Sequence, residues 1–180
     1  MSYLCRMKKI TIKKGNHLSI SQPLSIPCVL PKESCYIFSF TQESKYILND
    51  GDQQDWNKLI GYSVGLLPTN GIRPAHYNSI RVGWSYDPIK DCFLVSPYWY
   101  DQGKRMYHEP HEALTVKTNE EFVVEFYKHS NGVFILQIEN LKSGRMSSAA
   151  ISLSSNFGYL LPPYFGGNKP APNDISYNKE

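Results

Sequence analysis

The sequence contains no long apolar run. No stretch approaches the roughly 18 residues that a membrane-crossing helix requires, so no helical span is expected. It also lacks a strong excess of charge. Lys and Arg number 19 against 16 Asp and Glu, a formal +3, and the basic residues are scattered, so nucleic acid is not expected as a partner. Cys5, Cys28, Cys35 and Cys92 form no Cys-x-x-Cys pair and have no histidine at zinc-ligand spacing, which argues against structural zinc. Cys28 and Cys35 are close enough in sequence to bridge, but free thiols in a reducing compartment are the simpler expectation. A Gly-rich phosphate loop, a Ser or Cys nucleophile motif, internal repeats and low-complexity tracts are all missing. One domain over residues 1–180 is expected, with about residues 1–8 as an N-terminal extension. The opening MSYLCRMKKITIKKG is basic but has no apolar core of the secretory-signal kind. The expectation is a protein made in the cytoplasm that stays there or leaves within a larger particle such as a virion.

What is abundant is tyrosine, at 13 residues, and turn formers, with 12 Gly and 12 Pro spread along the chain. Helix signals are poor, and the best amphipathic candidate is Gln53–Ile60. Strand signals recur at Lys8–Lys13, Cys35–Phe40, Ser79–Tyr86 and Phe93–Tyr100, where Pro97 predicts an edge or a bulge. They continue at Glu121–Lys128, Val133–Glu139, Met146–Leu153, Phe157–Phe165 and Asp174–Tyr177. His129-Ser130-Asn131-Gly132 reads as a hairpin connection turning at Asn-Gly. Many short strands with Gly/Pro turns indicate an all-β chain. The predicted architecture is a single antiparallel β-sandwich, jelly-roll or concanavalin-like.

Three stretches stand out together: Asp55–Tyr62 (DWNKLIGY), Asn78–Trp84 (NSIRVGW) and Leu161–Ile175 (LPPYFGGNKPAPNDI). With Lys14-Gly15-Asn16-His17, this set resembles a family of small β-sandwich proteins common in Bacteroidetes, over roughly Ile12 to Tyr177. The motifs are specific to that family rather than to a chemistry. Its members are often exported lipoproteins, whereas this opening carries no signal. Asn173 stands where the family pattern has His, which removes any role for that His here. A leaderless copy suits a phage-encoded or virion-associated protein.

The period-two pattern of Ser79–Tyr86 places Ile80, Val82, Trp84 and Tyr86 on one face and Ser79, Arg81, Gly83 and Ser85 on the other. Arg81 between small neighbours leaves room for an anionic or hydroxyl-rich ligand on its planar fork, and Gly83 fits a close approach. The structural alternative is an Arg buried against a carboxylate such as Asp55 or Asp174. Tyr98 and Tyr100 share a face opposite Trp99, and with Tyr107 and Tyr164 they form an aromatic set of the kind that stacks on sugar rings. The alternative is that these rings are core, as expected for Trp84 and Trp99. Asn57 and Lys58, at a loop–strand junction, read as structural. Asn49-Asp50-Gly51-Asp52 with Asp55 reads as a solvated acidic loop, and no metal or cofactor is expected. Among the histidines, His129 sits by a turn, and His108 and His111 lie in a proline-flanked segment. His17 and His76 flank the motifs and are the two worth testing.

The predicted ligand-binding set is therefore Arg81, Tyr98, Tyr100 and Tyr164, with His17 and His76 at the margin and the Gly166–Pro172 loop as one wall. The leading expectation is a non-catalytic glycan-binding or adhesion-type module. The second is a structural or decoration subunit of a larger assembly such as a phage virion, with protein partners or a homo-oligomer. The third is a polysaccharide lyase, with Arg81 neutralising a uronate, His76 or His17 as base and Tyr98 or Tyr100 as acid. Glycoside hydrolysis would need facing carboxylates, and Glu121 and Glu125 read as a solvent face.

Overall fold

In the first sheet every second residue is buried over residues 122–126 of β9 (Glu121–His129) and residues 134–140 of β10 (Val133–Asn140). In a computed structural model, which describes residues 7–22, 24–48, 51–65, 74–107 and 109–180, six strands form this sheet. They are β1 (Lys8–Ile12), β3 (Glu33–Phe40), β9 (Glu121–His129), β10 (Val133–Asn140), β11 (Met146–Ser152) and β13 (Ile175–Lys179), in the order β1-β13-β3-β9-β10-β11. Phe122, Val124 and Phe126 on β9 and Phe134, Leu136 and Ile138 on β10 point inward and are fully buried. The β9–β10 connection is a three-residue loop, Ser130–Gly132, because Val133 pairs with His129. Gly132 takes φ +80°, a left-handed conformation that glycine adopts without steric cost.

The second sheet holds β2 (Ile26–Val29), β4 (Asn57–Val64), β5 (Ser79–Asp87), β6 (Cys92–Asp101), β7 (Lys104–Tyr107), β8 (Leu114–Val116) and β12 (Phe157–Leu161). Its order is β2-β12-β4-β5-β6-β7, with β8 also on β6, and all its pairings are antiparallel. The two sheets enclose one core. Phe40 on the first sheet stacks on Phe93 at 4.2 Å and meets Trp84 at 5.0 Å, both on the second. Each ring of this kind contributes roughly 1.5–3 kcal/mol by burial. The all-β antiparallel sandwich expected from the sequence is what forms.

Two expectations change, and the free thiols are found as expected. Gln53–Ile60 is no helix: a short 3-10 turn covers Gly51–Gln54 and β4 begins at Asn57. The apparent helical spacing came from Leu59 and Ile60. A bulge between Lys58 and Gly61 sets these two residues against Val82 alone, and both are buried. Pro97 lies in an interior strand, paired with Val82. On the other side of β6, β8 pairs with Phe93–Val95 and β7 with Tyr98–Asp101, so Ser96 and Pro97 fall in the gap between partners. A missing N–H costs nothing there. Cys28, Cys35 and Cys92 are free, so Cys28 and Cys35 do not bridge, and Cys5 lies outside the described residues. Among the described residues no helix is long and apolar enough to cross a membrane.

Candidate functional site

The site is assembled on the outer face of β4, β5 and β6. Directly opposed residues in antiparallel strands project to the same side. Arg81 pairs with Tyr98, which pairs with Tyr107; Ser79 pairs with Tyr100, which pairs with Arg105. On the other flank, Gly61 lies opposite Arg81 and Lys58 opposite Gly83. A Cβ at Gly61 would overlap the Ile80 carbonyl and the Arg81 side chain. The absence of a side chain at Gly61 is thus what lets Arg81 lie across β4.

The wall comes from far along the chain. Lys58 N donates to the Tyr164 carbonyl at 2.8 Å, and Tyr164 N donates to the Lys58 carbonyl at 2.8 Å. Tyr164 also bridges Leu18. The His17 ring stacks on Tyr164, with centroids 5.0 Å apart and planes 12° off parallel, and its Nδ1 donates to the Phe165 carbonyl at 2.8 Å. Asn57 is buried and has the structural role read from the sequence. Its Nδ2 donates to Tyr46 Oη at 3.0 Å, and its Oδ1 accepts from Gly166 N.

Five of the six predicted residues, Arg81, Tyr98, Tyr100, Tyr164 and His76, line one groove of about 530 Å³, together with Lys58, Arg105 and Gly166–Asn168. His17 stands behind Tyr164. Tyr98 and Tyr100 meet edge to face at 5.9 Å, and His76 packs on Tyr100 at 5.3 Å. Trp99 faces the core, as expected from its position on the strand. An adjoining hollow of about 280 Å³ shares Lys58, Tyr98, Arg105 and Gly167 and adds Asp55, Trp56 and Glu109.

Arg81 is buried, but the carboxylate partner envisaged for it is not there. One terminal nitrogen donates to the Pro162 carbonyl, and Nε has no partner. Asp174 instead binds Lys13 at 2.7 Å, and Asp55 packs beside Gly167. Burial pushes the Arg81 pKa down to about 10, opposed by the surrounding tyrosines, so it remains a cation at neutral pH. Gly83 does not admit a ligand either. Its open side is filled by Trp56 and Tyr98, whose atoms would lie 3.2 and 3.1 Å from a Cβ.

The sequence reading missed Lys58 and Arg105. Lys58 Nζ sits 4.7 Å above the Tyr98 ring and 5.9 Å from that of Tyr164. Burial pushes its pKa down to about 8, helped by the Arg81 and Arg105 charges and opposed by Asp55. Burial and a hydrogen bond to Tyr100 hold the Tyr98 phenol well above its usual range, so it stays protonated. Arg105 is exposed, and its pKa is raised chiefly by Tyr98. The signal for Arg105 was the turn Asp101-Gln102-Gly103-Lys104. Gln102 and Gly103 take φ +49° and +83°, so the turn folds β7 back onto β6 and sets Arg105 against Tyr100. Among the described residues no group of three or more His, Cys, Asp or Glu side chains is placed to hold a metal. Asn49, Asp50 and His108 lie outside those residues, and His111 belongs to a different hollow.

No family model and no curated protein matches the chain. Solved structures match the chain at low identity. One is a Scytalido-glutamic peptidase bound to a peptide-based transition-state analogue, 9% identical with a TM-score of 0.42, matched over 97% of this chain and 66% of that one. This chain spans just under two thirds of that peptidase. The acidic lectin of winged bean, complexed with methyl-α-D-galactose, is 8% identical with a TM-score of 0.44, over 99% of this chain and 93% of the lectin. The enzymatically active domain of tailspike protein 2 of bacteriophage CBA120 is 8% identical with a TM-score of 0.37, over 97% of this chain and 29% of that one.

Proposed function

We propose that this chain is a glycan-binding module whose site is the groove on the outer face of its second sheet. The observation that carries the reading is the convergence of Tyr98, Tyr100 and Tyr164 with Lys58, Arg81 and Arg105 around one groove of about 530 Å³. Tyrosine faces stack on the apolar faces of sugar rings, and the phenols and cations supply hydrogen bonds to ring substituents. A glycan array probed with the native protein tests it. Selective binding that Tyr100→Ala removes, with the fold retained by circular dichroism, is the expected result. Binding unchanged in both Arg81→Ala and Tyr98→Ala would overturn it.

A second reading, a polysaccharide lyase, is favoured by Lys58. An amine with a pKa of about 8 is free as a base in a useful fraction near neutral pH. In that reaction Lys58 would take the proton α to a uronate carboxylate while the C4–O4 bond breaks and a C4–C5 double bond forms. Tyr98 or Tyr100 would return a proton to the leaving oxygen, and Arg81 would offset the charge on the carboxylate. An ultraviolet-absorbing unsaturated product would establish it. An assembly role, as in a virion subunit, draws support from the exposed Ile26, Val29 and Phe157 at the β2 edge. A defined oligomer by light scattering that buries them would support it.

A further inference from the structure

Lys58, Arg81 and Arg105 converge on this groove, and no salt bridge among the described residues takes any of them. Among the described residues no carboxylate lines it; Asp55 and Glu109 line the adjoining hollow, which Lys58 and Arg105 share. Arg81 is 8% exposed, and its Nε is buried without a partner. Lys58 rests on the faces of Tyr98 and Tyr164, which attract a cation but carry no net charge. Burying cations side by side is costly unless an anion joins them. A chain that spends stability in this way on an open groove has a site prepared for an anionic group.

We infer that the groove binds an acidic glycan, a sugar chain bearing carboxylate or sulfate. Its anion supplies the counter-charge for Lys58, Arg81 and Arg105 while its rings lie on Tyr98, Tyr100 and Tyr164. This rests on the glycan-binding reading and names the ligand class for the same groove. Neutral hydroxyls would bring no negative charge to Lys58, Arg81 or Arg105. Hydrogen bonds to charged groups contribute roughly 1.5–3 kcal/mol each, so the acidic form of a given chain should bind roughly tenfold or more tighter than its neutral form.

The test uses paired polymers that differ only in charge: polygalacturonate against its methyl ester, and dextran sulfate against dextran. Binding is read by calorimetry at physiological ionic strength. The expected result is preference for the acidic member of at least one pair, and which pair shows it separates carboxylate from sulfate. Lys58→Gln and the exposed-site variant Arg105→Gln should each lose that preference. Lys142→Gln, which removes the same charge from the Glu120 pair elsewhere on the surface, should keep it. Equal binding within both pairs overturns this inference and leaves the glycan reading standing. Acidic preference that persists in both Lys58→Gln and Arg105→Gln also overturns it, because the charge would then act from elsewhere. Binding to none of the four polymers counts against the glycan reading itself, and the inference falls with it.

Discussion

The outer faces of the two sheets start from similar strands and end in different states. On β9 and β10 burial alternates, with Phe122, Val124, Phe126, Phe134, Leu136 and Ile138 inside and Glu125, Tyr127 and Gln137 partly open to solvent between them. On β5 every residue from Ser79 to Tyr86 is buried, and on β4 every residue except Lys58. Antiparallel sheets normally keep one face wet. The covered face carries small residues, Gly61, Ser63, Ser79, Gly83 and Ser85, with Arg81 among them. Trp56 and the Tyr164 segment close over that row. The polar face of β5 is thus covered by the chain itself, whereas the outer faces of β9 and β10 are left to water.

That contrast can be broken by substitution, and the largest effect belongs to Gly61. Gly61→Val on the covered face meets the Ile80 carbonyl and the Arg81 side chain. It should destabilise the protein by about 3 kcal/mol in urea unfolding. Next comes Arg81→Met, with the opposite sign. Exchanging a buried, unpaired cation for an apolar side chain of similar length should raise stability by roughly 1 kcal/mol while abolishing binding of acidic glycans. A loss of stability in that variant would mean that Arg81 is there to hold the fold.

Lys58 gives a smaller effect, set by pH. Its folded pKa of about 8 lies below the 10.5 of an ordinary lysine. Between those values the unfolded chain binds the extra proton, so this residue makes stability rise with pH. The unfavourable contribution is fully present below about pH 8. The Lys58→Met variant should be the more stable at pH 7, and the difference should shrink as pH rises toward 10. Affinity for an acidic polymer should fall over the same range as the ammonium loses its proton. The smallest change is expected on the open face: Gln137→Thr should stay within about 0.5 kcal/mol of the parent. A shift comparable to that at Gly61 would erase the distinction between the two faces.

Much of the sandwich was legible because period two shows through in β5, whose apolar residues recur at every second position, and because the apolar runs of β9 and β10 flank an Asn-Gly turn. The same period correctly placed Arg81 on one face of β5, and Tyr98 with Tyr100 opposite Trp99. Short strands escaped, since β2 and β8 span only Ile26–Val29 and Leu114–Val116 and are held by their neighbours rather than by their own pattern. Lys58 escaped for another reason. Its place over Tyr98 depends on the bulge in β4 and on Tyr164, which lies more than a hundred residues further along the chain. Local spacing carries no record of such a meeting. Arg105 was hidden by a Gln-Gly turn, which lacks the Asn or Asp that usually signals a hairpin.

The pairing of β1 with β13 has a mechanical consequence. Lys8 lies opposite Lys179, at one end of a ladder that runs to Ile12 opposite Ile175. A pulling force applied between Lys8 and Lys179 would therefore load the rungs one at a time, opening β1 from β13 like a zipper at low force. The same force applied between Ile12 and Lys179 would be shared along the whole ladder as shear.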